Sequence, residues 1–302
     1  MARERPKVIT VTGGKGGTGK TVIASNLAAL LSSAGLRILL IDLDVENPCA
    51  HTLLGASLKV VEKVAIFKPL IDEKACTLCG ECVSACPVHA LAIVPSRKVL
   101  FLEALCESCA ACLYVCPVGA ISRGERIIGW IKEGRARSVD IVTGELKPGS
   151  RQYHEVMERT MDHARRVWRR YDIAVMDLPP GAGRGVYAAL KLSDLALMVT
   201  EPTRLGLADL ERLHNLAGKT GVKELVVLNK YGLPGGTAVS IEEFVSRERL
   251  KLVRVRYDPE LARAYARGKL VVESPQSPSA QDIVKLMNVV ADVLGLDAVK
   301  YM

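Results

Sequence analysis

The chain has 302 residues, 49% of them hydrophobic and 4% aromatic, with a formal net charge of +8. Such a length and apolar content can bury one sizeable aliphatic core plus a small satellite, which excludes a disordered or fibrous chain. No charged-then-apolar leader lies between Met1 and Pro6 and no run of 18 apolar residues occurs, so a cytoplasmic protein is expected, and its nine cysteines point to metal ligation in a reducing setting, not to disulfides.

The first predicted strand, 7–12, is a β-branched run that feeds directly into the glycine-rich string GKGGTGKT. In the G-x4-G-K-[ST] pattern, backbone N–H groups converge on phosphate oxygens, a lysine reaches the outer phosphates and a hydroxyl holds Mg²⁺. Gly14, Gly19, Lys20 and Thr21 fill those positions; Gly16, Gly17, Thr18 and Val22 complete the expected nucleotide contacts. Apolar residues Val22, Ala24, Leu27, Leu30 and Leu31 then mark a helix. With its additional lysine, Lys15, the string KGGTGKT resembles the deviant Walker A motif of the MinD, ParA and nitrogenase iron protein superfamily. The resemblance implies that Lys15 reaches across a nucleotide-sandwich dimer to the partner's phosphates, where a second cation would stabilise charge developing on the transferred phosphoryl group.

The second predicted strand, 37–43, runs into IDLDVENP, which contains Asp42 and Asp44. Ligands of open α/β sheets bind beyond the carboxyl ends of the strands; by resemblance, Asp44 positions or activates the attacking water. Cys49 and His51 follow closely and are read as a buried small side chain and a surface or capping histidine.

Eight cysteines then fall in two C-x2-C-x2-C-x3-C-P runs, each member of the second run thirty residues after its counterpart in the first. This spacing gives three thiolates to one cubane cluster and sends the fourth, placed before a proline, to the other. Cys76, Cys79, Cys82 and Cys116 are therefore expected to hold one [4Fe–4S] cluster, and Cys106, Cys109, Cys112 and Cys86 the second. Zinc bound by C-x2-C pairs is the rival, but four consecutive thiolates closing on Pro87 and Pro117 do not suit it. The stretch resembles bacterial-type ferredoxins over about residues 66–122, where His89 could tune a cluster by hydrogen bonding. Two oxidised clusters would contribute about −2 each and lower the charge to roughly +4, which removes most of the apparent basicity.

After the insertion, Ile127–Trp130 and Val139–Gly149 read as a Gly-rich connection of short strand or loop before a helix over 151–170. Basic residues gather at Arg123, Arg126, Lys132, Arg135 and Arg137, a surface for an acidic redox partner, and at Arg165, Arg166, Arg169 and Arg170, a solvated helix face. Strand runs at 172–177, 195–200, 224–229 and 251–255 alternate with helix-length patterns. The expected fold is thus a mostly parallel, doubly wound α/β P-loop NTPase sheet with an inserted α+β ferredoxin-like domain, divided 1–65, 66–122 and 123–302. In MDLPPGAG, Asp177 matches the Walker B carboxylate that holds Mg²⁺ and Gly181 can offer its N–H to the γ-phosphate; Asn229 resembles the family's adenine-contacting asparagine, with Asp258 or Pro259 in the same pocket. The apolar arc of Ile283, Leu286, Met287, Val290 and Leu294 marks a last helix docked on the core.

Taken together, the chain resembles MinD-superfamily ATPases that carry an inserted ferredoxin domain. The resemblance implies a slow ATPase, at about 0.01 per second without a stimulating partner, acting as a homodimer or as a heterodimer with a related ATPase. It would gate electron transfer through the clusters to a redox partner protein. One alternative is an Mrp-like iron–sulfur or metallocofactor assembly factor, which holds its cargo cluster on a C-terminal C-x2-C; no cysteine follows Cys116 here. Another is a MinD- or ParA-type positioning ATPase on membrane or DNA. The closing LGLDAVKYM lacks a basic amphipathic face and the holo-charge lacks a basic stripe, so neither nucleic acid nor stable membrane association is expected.

Overall fold

The computed structural model describes residues 5–94, 98–234 and 236–296. The expectations drawn from residues 1–4 and from the closing residues 297–302 lie outside this set. By compactness the chain forms two units: Met1–Glu62 with Ile131–Glu145 and Tyr153–Met302, and Lys63–Trp130 with Leu146–Gln152. The compact units part at Glu62 and Trp130 and add Leu146–Gln152, in place of a division at 65/66 and 122/123.

In the larger unit, β1 (Lys7–Thr12), α1 (Lys20–Ser33), β2 (Ile38–Asp42) and α2 (Ala50–Leu54) come first. The long strands β3 (Leu58–Ile71) and β6 (Ile121–Ala136) carry the chain out of this unit and back, and β7 (Val139–Leu146) and α5 (Tyr153–Val167) follow. Then come β8 (Ile173–Asp177), α6 (Arg184–Leu190), β9 (Leu195–Thr200), α7 (Arg204–Gly218), β10 (Lys223–Tyr231), α8 (Ala238–Arg247), β11 (Lys251–Arg256), α9 (Pro259–Ala266) and α10 (Pro278–Leu294). The sheet order is β11-β10-β9-β1-β8-β2-β7-β6-β3, and the pairs from β11 through β7 are parallel. This mostly parallel α/β sheet is the architecture expected from the alternating apolar runs.

Strands β2, β8 and β9 are buried at every residue, as parallel strands covered on both faces must be. Two carboxylates interrupt this apolar pattern, Asp42 and Asp177, each the last residue of its strand. Helix α1 is buried over most of its surface because it packs against both α2 and α10. Helix α10 is capped by Ser277, whose hydroxyl accepts from Ala280 N, and ends at Gly295 in the left-handed region. Its Ile283, Leu286, Met287 and Val290 join the main core, each burial contributing about 1.5–3 kcal/mol.

The stretch expected as a Gly-rich connection is a hairpin. Strands β6 and β7 are joined by Arg137 and Ser138 alone, both in the left-handed region at φ 51° and 61°, as a two-residue primed turn requires. Strand β3 lies outside the predicted runs; its Pro69 is tolerated because β3 is the sheet's edge.

The smaller unit contains α3 (Glu81–Ser84), the antiparallel pair β4 (Leu91–Val94) and β5 (Lys98–Phe101), and α4 (Ala111–Tyr114). Its buried core is thin: Phe67, Cys82, Leu91, Val99, Cys112 and Ile121. The thirty-residue sequence repeat reappears in the backbone. Left-handed residues Leu78, Gly80 and His89 are matched by Ser108, Ala110 and Gly119, and α3 is matched by α4.

Candidate nucleotide site and cysteine quartets

At the carboxyl ends of β1, β2 and β8 the larger unit opens a cavity of about 480 Å³. Gly16, Gly17, Gly19, Lys20, Thr21 and Val22 line one side, Asp44, Asn47, Cys49 and Pro180 a second, and Asn229, Lys230, Tyr257, Asp258 and Tyr265 a third. Gly19 turns the loop into α1 at φ 97°, where a Cβ would meet the Asn229 amide nitrogen at 2.3 Å. That nitrogen donates to Thr18 O at 2.7 Å, so Asn229 faces the cavity while it anchors the loop. Gly14, Thr18 and Gly181 stand outside the lining. Gly14 packs against Asp209 of α7, Thr18 is buried, and Gly181 N donates to Gly13 O at 3.1 Å.

Sheet register sets Asp42 opposite Asp177, and local hydrogen bonding separates the two aspartates of the IDLD segment. Asp42 accepts from Asp44 N at 3.2 Å and from Ala50 N at 3.0 Å, which spends its carboxylate on shaping the 44–50 turn. Asp44 is left facing the cavity beside Lys20. Burial pushes both carboxyls above the ordinary range, with Asp177 adding to the effect on Asp42 and Lys20 opposing it at Asp44. Burial likewise pushes Asp177 up to about 7, against the pull of the Thr21 hydroxyl and Lys20. Neither Asp177 oxygen has a hydrogen bond of ordinary geometry. Lys20 is itself lowered by burial and drawn back by Asp177 and Asp44; its Nζ donates to Lys15 O at 3.1 Å. Burial thus disfavours the ionised form of three carboxyls that share one lysine, and a further cation at this point would stabilise that form. That arrangement and the orphaned Asp177 oxygens fit a hard divalent cation, for which Asp177 and the Thr21 hydroxyl are the available oxygen donors.

Lys15 stands outside the cavity lining. Its ammonium lies 2.5 Å from Glu201 Oε1, and the other oxygen of Glu201 lies 2.8 Å from Lys230 Nζ. Sequence reading missed Glu201, Lys230 and Asp209, which carry no motif of their own. The available signal for Glu201 and Lys230 was a charged residue one polar position beyond an apolar strand run, in VTEPT and again in VLNKY. A register irregularity between Leu228 and Tyr231, with Lys230 at φ 55°, re-aims this end of β10.

In the smaller unit none of the eight repeat cysteines is in a disulfide; Cys82 and Cys112 are buried and Cys79 and Cys109 exposed. Cys76, Cys79, Cys82 and Cys116 line one small cavity. Cys86, Cys106, Cys109 and Cys112 line a second. Ala90 N points at Cys86 Sγ at 3.2 Å and Ser108 N at Cys106 Sγ at 3.4 Å. Leu78, His89, Ser108 and Ala110 hold left-handed backbone without being glycine, a strain of about 1–2 kcal/mol each that collects where the surroundings impose it. Among the described residues no group of three or more His, Cys, Asp or Glu side chains is placed to hold a single metal ion. Cys49 lines the nucleotide cavity and is in the lining of neither cysteine cavity, with burial pushing its thiol up to about 11.

A family model for the CobQ/CobB/MinD/ParA nucleotide binding domain matches residues 9–271. An uncharacterized protein of Methanocaldococcus jannaschii is 33% identical over 226 residues, 74% of this chain and 78% of its own. The iron-sulfur cluster carrier protein of Aquifex aeolicus is 25% identical over 305 residues, covering 95% of this chain and 68% of its own. Among solved structures, the cell division ATPase MinD of Pyrococcus furiosus superposes with a TM-score of 0.58 at 19% identity, covering 95% of this chain and 99% of that one. At that identity the likeness is one of fold. Among the described residues no helix is long and apolar enough to cross a membrane.

Proposed function

The chain belongs to the CobQ/CobB/MinD/ParA nucleotide-binding family, and on that footing we propose that this ATP-binding ATPase is a dimeric switch that gates electron transfer through two [4Fe–4S] clusters to a partner protein. In this reading Lys20 and Lys15 neutralise phosphate charge, Asp44 orients the attacking water, and Thr21 and Asp177 would hold Mg²⁺. Cys76, Cys79, Cys82 and Cys116 would hold one cluster and Cys86, Cys106, Cys109 and Cys112 the other; bound clusters supply one-electron transfer.

The observation that carries the proposal is the sorting of eight cysteines into two cavities, each taking three from one repeat and the fourth from the other. A thin apolar core supports the same reading, because a unit of about 75 residues ordinarily needs disulfides or metal to hold it together. Along the chain, the Asp42–Asp44 segment lies only a short helix ahead of β3. A rearrangement of that segment on nucleotide binding has a short covalent route into the cysteine unit.

The test is the reduction potential of the anaerobically prepared holo-protein, with and without MgATP. A nucleotide-dependent shift is the expected result. Potentials indifferent to nucleotide would end the coupling, and protein without iron or labile sulfide would end the cluster assignment. Kinship with a protein named as an iron–sulfur cluster carrier favours a second reading, in which a cluster is cargo. Transfer of an intact cluster to an apo-acceptor would establish that reading in place of ours.

A further inference from the structure

Beside the phosphate loop lies an ion group of which only Lys230 lines the nucleotide cavity. The Glu201 side chain is 12% exposed and sits between two ammonium groups, with Oε1 at 2.5 Å from Lys15 Nζ and Oε2 at 2.8 Å from Lys230 Nζ. Lys230 Nζ also donates to Gly17 O at 2.9 Å, and Lys15 Nζ reaches Thr203 Oγ1 only at 3.5 Å. Glu201 is itself fixed, because its backbone carbonyl crowds Gly206 at the start of α7 so closely that a Cβ there would lie 2.2 Å away. Burial would raise its carboxyl, but hydrogen bonds and charge from the two lysines outweigh this and hold it below the ordinary range.

The group is asymmetric. Lys230 is tied at two points, to the carboxylate and to the loop carbonyl, whereas Lys15 is tied firmly at one. A largely buried carboxylate stripped of its only partner is strongly disfavoured, but one with two cations can release one and stay paired. Polyphosphate oxygens near Lys20 compete for the same kind of donor.

We propose that Glu201 is a positioning residue that holds Lys15 away from the phosphate site in the free protein and yields it to bound polyphosphate, while Lys230 stays to keep the carboxylate paired. The inference rests on ATP binding at the amino-terminal loop and on none of the cysteine chemistry. The polyphosphate that takes Lys15 is either the chain's own or that of a second copy.

The test is equilibrium binding of MgATP and of AMP to the full-length holo-protein, prepared without air. Glu201→Gln should tighten MgATP about twofold to fivefold, on the scale of a partly exposed ion pair, and leave AMP unmoved. Glu201→Asp, which keeps a charge facing Lys230 but shortens the reach to Lys15, should move MgATP the same way by less and serves if the first variant does not fold. In a Lys15→Met background, Glu201→Gln should leave MgATP affinity unchanged, since the effect runs through Lys15. Tightening seen only at protein concentrations where the chain sediments as a dimer assigns the polyphosphate to the second copy; tightening at all concentrations assigns it to the same chain. Weaker or unchanged MgATP binding in Glu201→Gln, or an effect that survives in Lys15→Met, would overturn the proposal. If the unaltered protein bound no ATP, the family-level activity would fail together with it.

Discussion

Replacing Gly19 by alanine makes two separate demands on the phosphate loop. The residue sits at φ 97°, where a Cβ costs about 1–2 kcal/mol in backbone strain. That Cβ would also lie 2.3 Å from Asn229 Nδ2, so the amide must swing away and abandon its 2.7 Å bond to Thr18 O. Asn229 is 3% exposed, and leaving a buried group unpaired costs about 1–3 kcal/mol. The total expected for Gly19→Ala is about 2–5 kcal/mol. Gly17 is the internal control: it too has positive φ, at 78°, but nothing lies within 4 Å of a Cβ there, so Gly17→Ala should cost only the backbone part. Urea unfolding of nucleotide-free protein can be followed by Trp168, buried in the larger unit, in a Trp130→Phe background. In an Asn229→Ala background the cost of Gly19→Ala should fall to that of Gly17→Ala, giving a coupling energy of about 1–3 kcal/mol. Additive costs, or equal costs for the two glycines alone, would refute the contact as the cause.

On α10, Leu286→Ala removes a fully buried side chain and should cost about 2–5 kcal/mol in the same unfolding assay. Asp258 is opposed by burial, but hydrogen bonds from Ser277, Glu260 N and Ser279 hold its carboxyl down at about 2. Its folded pKa therefore lies below the unfolded one, and the stabilisation is present above about pH 4 and lost as pH falls toward 2. Discounted for partial exposure, Asp258→Asn should cost about 1–2 kcal/mol at pH 7, and the gap from the parent protein should close near pH 2. For the proposed clusters, Cys116→Ser and Cys76→Ser should disturb the same electron paramagnetic resonance signal, and Cys86→Ser the one disturbed by Cys106→Ser. Pairing of Cys116 with Cys106 would show that each repeat ligates its own cluster.

Local chemistry made much of this protein legible from its sequence. The phosphate loop announces itself because glycine, lysine and hydroxyl must follow one another within eight residues. The cysteine repeat does so because its spacing is set by the backbone that wraps each cavity. Largely buried parallel strands leave near-continuous apolar runs, so the runs at 7–12, 37–43, 172–177, 195–200 and 224–229 match β1, β2, β8, β9 and β10, and the alternating run at 251–255 matches the edge strand β11. The hairpin of β6 and β7 was not legible, because its turn uses Arg137 and Ser138 in place of the glycine or asparagine that signals φ above zero. Strand β3 escaped notice because an edge strand is half solvated and carries charges and a proline.

Tertiary structure alone decided what the charged residues do. Asp42 and Asp44 look equivalent in IDLD; the difference is that Asp42 is held by Ala50 N and set opposite Asp177 by sheet register. Nothing near Lys15 in the chain foretells Glu201, which reaches it from the far end of β9. Sequence records a group's chemistry and its near neighbours. Which distant charge it meets is fixed only when strands remote in the chain are packed side by side, and in a buried site that meeting determines whether a side chain is charged, tied down or free to act.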